Sequence, residues 1–379
     1  TEAGDTALML CVSSGHEECF HELLVAGADF GILNKKGQGL ADVMDASSHQ
    51  LGMQHVMWDA IMSEKSLYSS NLEVFSPLHF AARHASTKVI KKILEQKGLN
   101  LNLPDRRGFS AAMVAAQCGS MEVFKVLLFA GASMSMRNCK GETALMLAEG
   151  SGHKEWCERI LFDAILRDVL QEANFEALHF AARRGNSEVL AHLLKQGSPI
   201  NAWNEDDYTP LMLSVKEGHI EACKLLLSLG ADCYLVNARA ESALSLARRC
   251  VSGRVVEGIL LDHMAKKLVL AGAELLKHTR EGKGKPHLKY VRMLKSGMLS
   301  WGESKRRNEL CIEASLGGSF KFQKNQKICD LDEDVWGGVF RVKAHGKEIH
   351  FDANTELMAE LWVRGINLTI KEAMGKSSS

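Results

Sequence analysis

A beat of about 33 residues runs through the first two-thirds of this 379-residue chain. A four-residue signature, a hydroxyl residue, then Ala or Pro, then Leu, then His or Met, recurs at Thr6-Ala7-Leu8-Met9, Ser76-Pro77-Leu78-His79, Ser110-Ala111-Ala112-Met113 and Thr143-Ala144-Leu145-Met146. It returns at Glu176-Ala177-Leu178-His179, Thr209-Pro210-Leu211-Met212 and Ser242-Ala243-Leu244-Ser245, and a degenerate copy sits at Gly39-Leu40-Ala41-Asp42. Successive copies are 33, 37, 34, 33, 33, 33 and 33 residues apart. Chance does not hold such a period over eight units. A fixed period in this range marks a stacked-repeat architecture, in which each unit buries its apolar face only against its neighbours.

One unit shows the physical logic. In Asp207 to Asp232, Thr209 is placed to cap a helix and Pro210 fills the first helical position, where a missing N–H costs nothing. Gly218 permits the left-handed turn that ends the first helix, and Gly230 ends the second. These features resemble the ankyrin repeat, with its T-P-L-H, A-A-x-x-G-H and L-L-x-x-G-A signatures. His79-Phe80-Ala81-Ala82-Arg83, His179-Phe180-Ala181-Ala182-Arg183, Leu127-Leu128-Phe129-Ala130-Gly131-Ala132 and Leu23-Leu24-Val25-Ala26-Gly27-Ala28 carry the likeness. It covers residues 1–267 and implies a mainly α solenoid of about eight helix-pair units.

A second order lies above the first. Trp58-Asp59-Ala60-Ile61-Met62, Phe162-Asp163-Ala164-Ile165-Leu166 and Leu261-Asp262-His263-Met264-Ala265 occupy equivalent places in units two, five and eight. There the Gly-Ala turn and the following finger are missing, and an apolar helix is expected to run on. The units therefore group in trios. The first trio lacks its opening unit, and Thr1 is not an initiator Met, so an N-terminally incomplete chain is expected.

The resemblance implies that partners bind at the finger tips and along the first helices. The tips fall at Lys35-Lys36, Arg106-Arg107, Cys139-Lys140, Glu205-Asp206 and Ala238-Arg239. Lys35, Lys36, Arg106, Arg107, Lys140, Trp203, Glu205, Asp206, Tyr208 and Arg239 are the candidate protein-binding residues. For any one of them the alternative is a solvated turn, since loops are polar by default. His79 and His179 are expected to knit neighbouring turns together by hydrogen bonds, not to hold a metal.

From about Ala273 the beat stops and the texture turns to β. Leu275 to His278 leads into a Gly/Lys loop, a strand follows at His287 to Leu294, and Met298 to Trp301 follows a turn. Val339 to Val342 and Glu348 to Phe351 read as a hairpin around His345-Gly346, and an amphipathic helix is expected from Thr355 to Ile370. Strands closed by one Trp-bearing helix resemble a pleckstrin-homology (PH) domain. The likeness rests on Tyr290 to Trp301 and Glu360 to Ile366 and covers residues 271–371; residues 372–379 are expected to form a disordered tail. Trp362 is expected to plug the barrel. The combination also resembles plant ankyrin/PH proteins.

In phosphoinositide-binding PH domains a Lys ends the first strand and a basic pair marks the second. By that resemblance Lys277 matches the first position and His287-Leu288-Lys289 the second, without an arginine. Lys283 and Lys285 in the loop, and Lys305, Arg306 and Arg307 further on, add charge around them. Basic (Lys plus Arg) and acidic (Asp plus Glu) residues balance overall at 46 each, but residues 271–300 alone hold 7 basic and 2 acidic side chains. The ligand implied is an anionic phospholipid at a membrane surface; a solvated basic face or a second protein are the alternatives.

Ten cysteines are scattered singly with no C-x-x-C pair, which fits a reducing cytoplasm and gives neither a zinc site nor a disulfide framework. The missing pairs also remove an Arf GTPase-activating or RING ligase domain. No apolar run is long enough for a transmembrane segment, and Gly282-Lys283-Gly284-Lys285 lacks P-loop spacing. Basic residues interleaved with exposed aromatics, the mark of nucleic-acid binding, are not found. The expectation is a non-catalytic, cofactor-free, monomeric adaptor that binds an unidentified protein. Its rivals are a regulator that blocks a partner enzyme, with the PH-like fold as a cap, and an enzyme whose catalytic part lies upstream of Thr1.

Overall fold

In five of the signatures the opening hydroxyl residue caps its helix, while Ser76 makes no such bond. Thr6, Ser110, Thr143, Thr209 and Ser242 each accept a hydrogen bond from the backbone N–H three residues on, at 3.2–3.4 Å. Each thereby satisfies one of the donors a helix start leaves open. The computed structural model describes residues 1–63, 69–96, 99–170, 176–250, 253–302, 308–327 and 338–376. The chain divides into two bodies, Thr1–Ala177 and Leu178–Ser379.

The N-terminal body holds five helix pairs: α1 (Ala7–Ser14) and α2 (Glu17–Val25), α3 (Leu40–Ala46) and α4 (Gln50–Met62), α5 (Pro77–Arg83) and α6 (Thr87–Leu94), α7 (Ala111–Cys118) and α8 (Met121–Phe129), α9 (Ala144–Gly150) and α10 (Lys154–Leu166). First helices pack on first helices and second on second. The Gly-His steps of the sequence lock neighbouring units. Gly119 turns with φ of 74°, and a Cβ there would lie 2.5 Å from the imidazole of His153 in the next unit. Helices α4 and α10 each span 13 residues, against 8 or 9 for α2, α6 and α8. The extended helices expected in units two and five are therefore present. The segments that follow them, 64–68 and 171–175, lie outside the described residues.

The C-terminal body holds α11 (Ala177–Arg184) and α12 (Ser187–Lys195), α13 (Pro210–Lys216) and α14 (Ile220–Ser228), and α15 (Ala243–Ala247) with α16 (Gly253–Ala271), followed by a β module. Helix α16 spans 19 residues and runs straight into the first strand. The strands are β1 (Ala273–Thr279), β2 (Gly284–Met293), β3 (Met298–Ser300), β4 (Asn308–Leu316), β5 (Val339–Ala344) and β6 (Lys347–Asp352). They form a closed antiparallel barrel in sequence order, with β6 returning to β1. Helix α17 (Phe320–Lys327) lies between β4 and β5 in the chain, and α18 (Glu356–Lys376) closes it.

Sequence reasoning placed five of these strands and missed β4 and α17. It ended the last helix at Ile370, but α18 continues to Lys376, so residues 372–376 of the expected tail are helical. Trp362 is fully buried and stacks on Phe340 with centroids 6.1 Å apart, in the barrel core as expected.

One core serves both the last helix pair and the barrel. Val269 of α16 is buried with Leu275, Val291, Phe340, Trp362 and Ile366. Gly365 lets α18 approach closely, since a Cβ there would lie 2.5 Å from the Ala265 carbonyl oxygen and 2.6 Å from a Val269 methyl. Arg364 pairs with Asp262 and donates to the Gly258 carbonyl at 3.0 Å, and Lys266 pairs with Glu372.

Candidate protein-binding fingers and basic barrel mouth

Each finger stands on a buried or half-buried Asn or Asp that sequence reasoning passed over. Asn34 Oδ1 accepts from the backbone N–H groups of Lys36 and Gln38 at 3.0 and 2.9 Å. Asp105 does the same for Arg107 and Phe109, Asn138 for Lys140 and Glu142, and Asn237 for Arg239 and Glu241. Asn204 accepts from Tyr208 at 2.7 Å. One short side chain thus holds the turn, and the tip residues are left to project. The signal was in the spacing: Asp105 and Asn138 are one period apart, as are Asn204 and Asn237.

In the N-terminal body the fingers are linked. The Cys139 N–H donates to the Arg107 carbonyl at 3.0 Å, and that of Arg106 donates to the Glu73 carbonyl at 3.3 Å. Lys35, Lys36, Arg107 and Lys140 are exposed at the tips. Arg106 is engaged: it donates to the Gly37 carbonyl at 3.1 Å and sits 3.6 Å from Asp42. The Arg107 guanidinium lies 5.1 Å over the Phe109 ring. Beside these tips is a cleft of about 350 Å³ lined by Asp42, Leu72, Phe75, His79, Arg83 and Arg106 among others. His79 Nε2 donates to the Phe109 carbonyl of the next unit at 2.7 Å, and burial lowers its pKa. This is the knitting role expected for it.

In the C-terminal body His179 likewise donates to the Ala202 carbonyl at 2.8 Å. Glu205 and Asp206 are exposed at one tip, with Arg183 reaching Asp206 at 3.4 Å. Trp203 is 42% exposed, and Val236, one period later, 54%. Tyr208 is not on the surface. It is 4% exposed, its hydroxyl donates to Glu241 at 3.0 Å and accepts from Arg239 at 3.1 Å, and the Lys216 ammonium lies 4.6 Å over its ring. It is a post beneath two fingers, placed there because the ring fills the space between units. Hydrogen bonds from Asn237 and Tyr208 hold the Glu241 carboxyl below the usual range.

At the barrel, the register sets Lys277 directly opposite His287 and Leu275 opposite Lys289. Opposed residues share a face of the sheet, and Leu275 is buried in the core, so Lys277, His287 and Lys289 line the inner side toward the barrel mouth. The Lys277 ammonium lies 4.3 Å over the Trp301 ring, and Lys347, which pairs with Glu309, lies 5.9 Å from the same ring. Lys347 was missed because it opens β6 directly after the His345-Gly346 turn, apart in sequence from the other cations. Lys283 and Lys285 are exposed at the β1–β2 turn, and Lys305, Arg306 and Arg307 lie outside the described residues.

Burial pushes the thiols of Cys157 and Cys223 up to about 12, which closes thiolate chemistry to them. Among the described residues no His, Cys, Asp and Glu side chains gather as a metal ion would need, and no helix is long and apolar enough to cross a membrane.

A family model described as ankyrin repeats in three copies matches residues 45–138, 78–169, 113–201 and 163–237, over half of the chain. The single ankyrin-repeat model matches residues 3–35. A solved ankyrin repeat domain from Acinetobacter baumannii AYE is 27% identical over 49% of this chain and 97% of its own, with a TM-score of 0.37. The human ASB11 ankyrin repeat domain is 24% identical over 50% of this chain and 97% of its own, with a TM-score of 0.31. Curated proteins give no match. On the family model's extent and the helix pairs that carry it, the chain belongs to the ankyrin-repeat proteins, whose repeats are protein-interaction modules.

Proposed function

We propose that the protein is a non-catalytic, monomeric cytoplasmic adaptor. Residues 1–267 hold a protein partner at the fingers and in the cleft beside them. Residues 271–371, read as a PH-like module of the plant ankyrin/PH type, dock to anionic membrane lipid or to a second protein. The observation that carries the first part is the finger construction: side chains at the tips project from turns that buried Asn and Asp residues already hold. Lys35, Lys36, Arg106, Arg107 and Lys140 form the basic contact set, and Trp203, Glu205, Asp206 and Arg239 the mixed one, with Tyr208 as their support. Affinity capture with the full chain tests it. Reversing Lys36, Arg106, Arg107 and Lys140 to Glu together should abolish partner capture; undiminished capture moves the site elsewhere.

The lipid half rests on Lys277, His287 and Lys289 sharing one face of β1–β2. Each cation near an anionic surface contributes about 1 kcal/mol. Replacing Lys277 and Lys289 with Ala should weaken phosphoinositide-vesicle binding more than replacing Lys305 and Arg306; equal losses would mean diffuse charge alone.

A second reading makes the barrel a cap on the last helix pair of a regulator that blocks a partner enzyme. The close packing of Gly365 on Ala265 favours it. The two readings separate on vesicles, which a pure cap ignores.

A further inference from the structure

We propose that the outward face of α17, together with the β1–β2 turn beside it, is a bilayer-docking face on which Phe320 inserts as the apolar anchor; this rests on the reading of the barrel as a lipid-docking module.

Phe320 is 80% exposed, while Phe322, two residues on, is 1% exposed. The contrast is built in. Helix α17 is pinned to the outer face of the barrel at three points. The Ser319 N–H donates to His350 Nε2 at 3.0 Å, and Phe322 stacks on His350 with centroids 4.5 Å apart. The Asn325 amide donates to the Glu281 carbonyl at 2.7 Å. With Phe322 held inward, helical periodicity turns residues 320 and 324 outward on one face. Phe320 cannot turn in without undoing the contacts of Phe322.

Among the described residues the surroundings of Phe320 are mainly basic. Lys321 and Lys324 are exposed on α17. The helix packs on the 3₁₀ turn Arg280–Gly282, which is followed by the exposed Lys283 and Lys285. Among the described residues the carboxylates beside these four lysines are Glu281, at 4.0 Å from Lys321, and Glu348, which acts on the His350 ring beneath the helix. A protruding apolar ring among lysines matches the edge of an anionic bilayer, where the ring enters the acyl boundary and the ammonium groups stay among phosphates. His278, whose ring meets Phe322, alternates with Lys277 along β1, so Lys277, His287 and Lys289 lie on the other side of that strand from α17.

The test uses the full chain and phosphatidylcholine vesicles with and without phosphatidylserine, read by sedimentation. The wild type should partition onto the phosphatidylserine vesicles and come off with salt. Phe320→Ala should lower the partition coefficient about tenfold, as expected when one phenyl ring no longer leaves water, with circular dichroism unchanged. Lys324→Glu should lower it at least fivefold. Phe320→Trp should be quenched by acyl-brominated lipid beyond the background of the native tryptophans. If the wild type binds and Phe320→Ala binds equally well, this inference falls while the lipid reading stands on the barrel mouth. If the wild type stays in the supernatant at low salt, both fall.

Discussion

The backbone N–H of Ser319 donates to Nε2 of His350 at 3.0 Å, and a backbone N–H can only donate. The bond therefore requires a neutral imidazole with its proton on Nδ1. His350 is 2% exposed, and its pKa is down to about 4, first because burial disfavours the charged ring. Glu348 and Glu281 pull it upward, and His278 and Arg341 push it down further. The consequence has a sign. A histidine whose docked pKa lies below its ordinary value of about 6.5 supports docking fully above pH 6.5 and loses that support as the pH falls toward 4. Amide hydrogen exchange over residues 319–327, corrected for intrinsic rates, should show protection falling across that window. His350→Gln, which keeps an acceptor but does not titrate, should flatten most of the dependence. His278, also held below its usual range by burial, should account for the remainder. Protection that is constant from pH 7 to about pH 4 would refute the latch.

Gly365 poses a sign test for the α16–α18 contact. On an open helix face, Gly→Ala should stabilise by about 1 kcal/mol through helix propensity alone. Here the added methyl would meet the Ala265 carbonyl oxygen at 2.5 Å and a Val269 methyl at 2.6 Å. Overpacking of that kind costs about 1–3 kcal/mol. Thermal denaturation of Gly365→Ala should show a net loss of stability; a rise in Tm would mean the two helices do not pack this closely.

The repeats were legible because their rules are local. A hydroxyl cap, a proline at the first helical position and a glycine that turns left-handed each act within a few residues, and the period repeats the message. The long helices of units two, five and eight were legible as apolar runs without a Gly-Ala turn. β4 was not legible. Its pairing with β5 slips between Cys311 and Glu313, so the alternation that announces a strand breaks in the middle. Helix α17 failed for the opposite reason: Phe320, Phe322 and the polar residues between them imitate a strand, and only Phe322 is buried. Tyr208 looked like a contact residue because its neighbours in sequence are tips; its burial depends on Glu241, 33 residues away.

Tyr208 joins two fingers through one oxygen, which accepts from Arg239 and donates to Glu241. Tyr208→Phe keeps the ring under Lys216 and removes the link. Urea denaturation should show a loss of about 1.5–3 kcal/mol, the range for a hydrogen bond to a charged group. Tyr208→Ala should cost about 3–5 kcal/mol, because the ring's space empties as well. Equal effects from the two would place the whole contribution in the hydroxyl.

Asn138 should control a whole finger from beneath. Its Oδ1 accepts from the N–H groups of Lys140 and Glu142 at 2.9 Å each, and its amide donates to Glu142 at 2.8 Å. It is buried, so Asn138→Ala leaves those groups to water or to nothing. The cost should be about 1–3 kcal/mol. Lys140→Ala, at the exposed tip of the same finger, should cost about 0.5 kcal/mol or less. Hydrogen exchange should tell the two apart locally. Asn138→Ala should open the amides of Lys140 and Glu142 while α7 and α8 stay protected, and Lys140→Ala should leave both closed. If the two variants exchange alike, the finger holds its shape without its base, and the projection of its tip needs another cause.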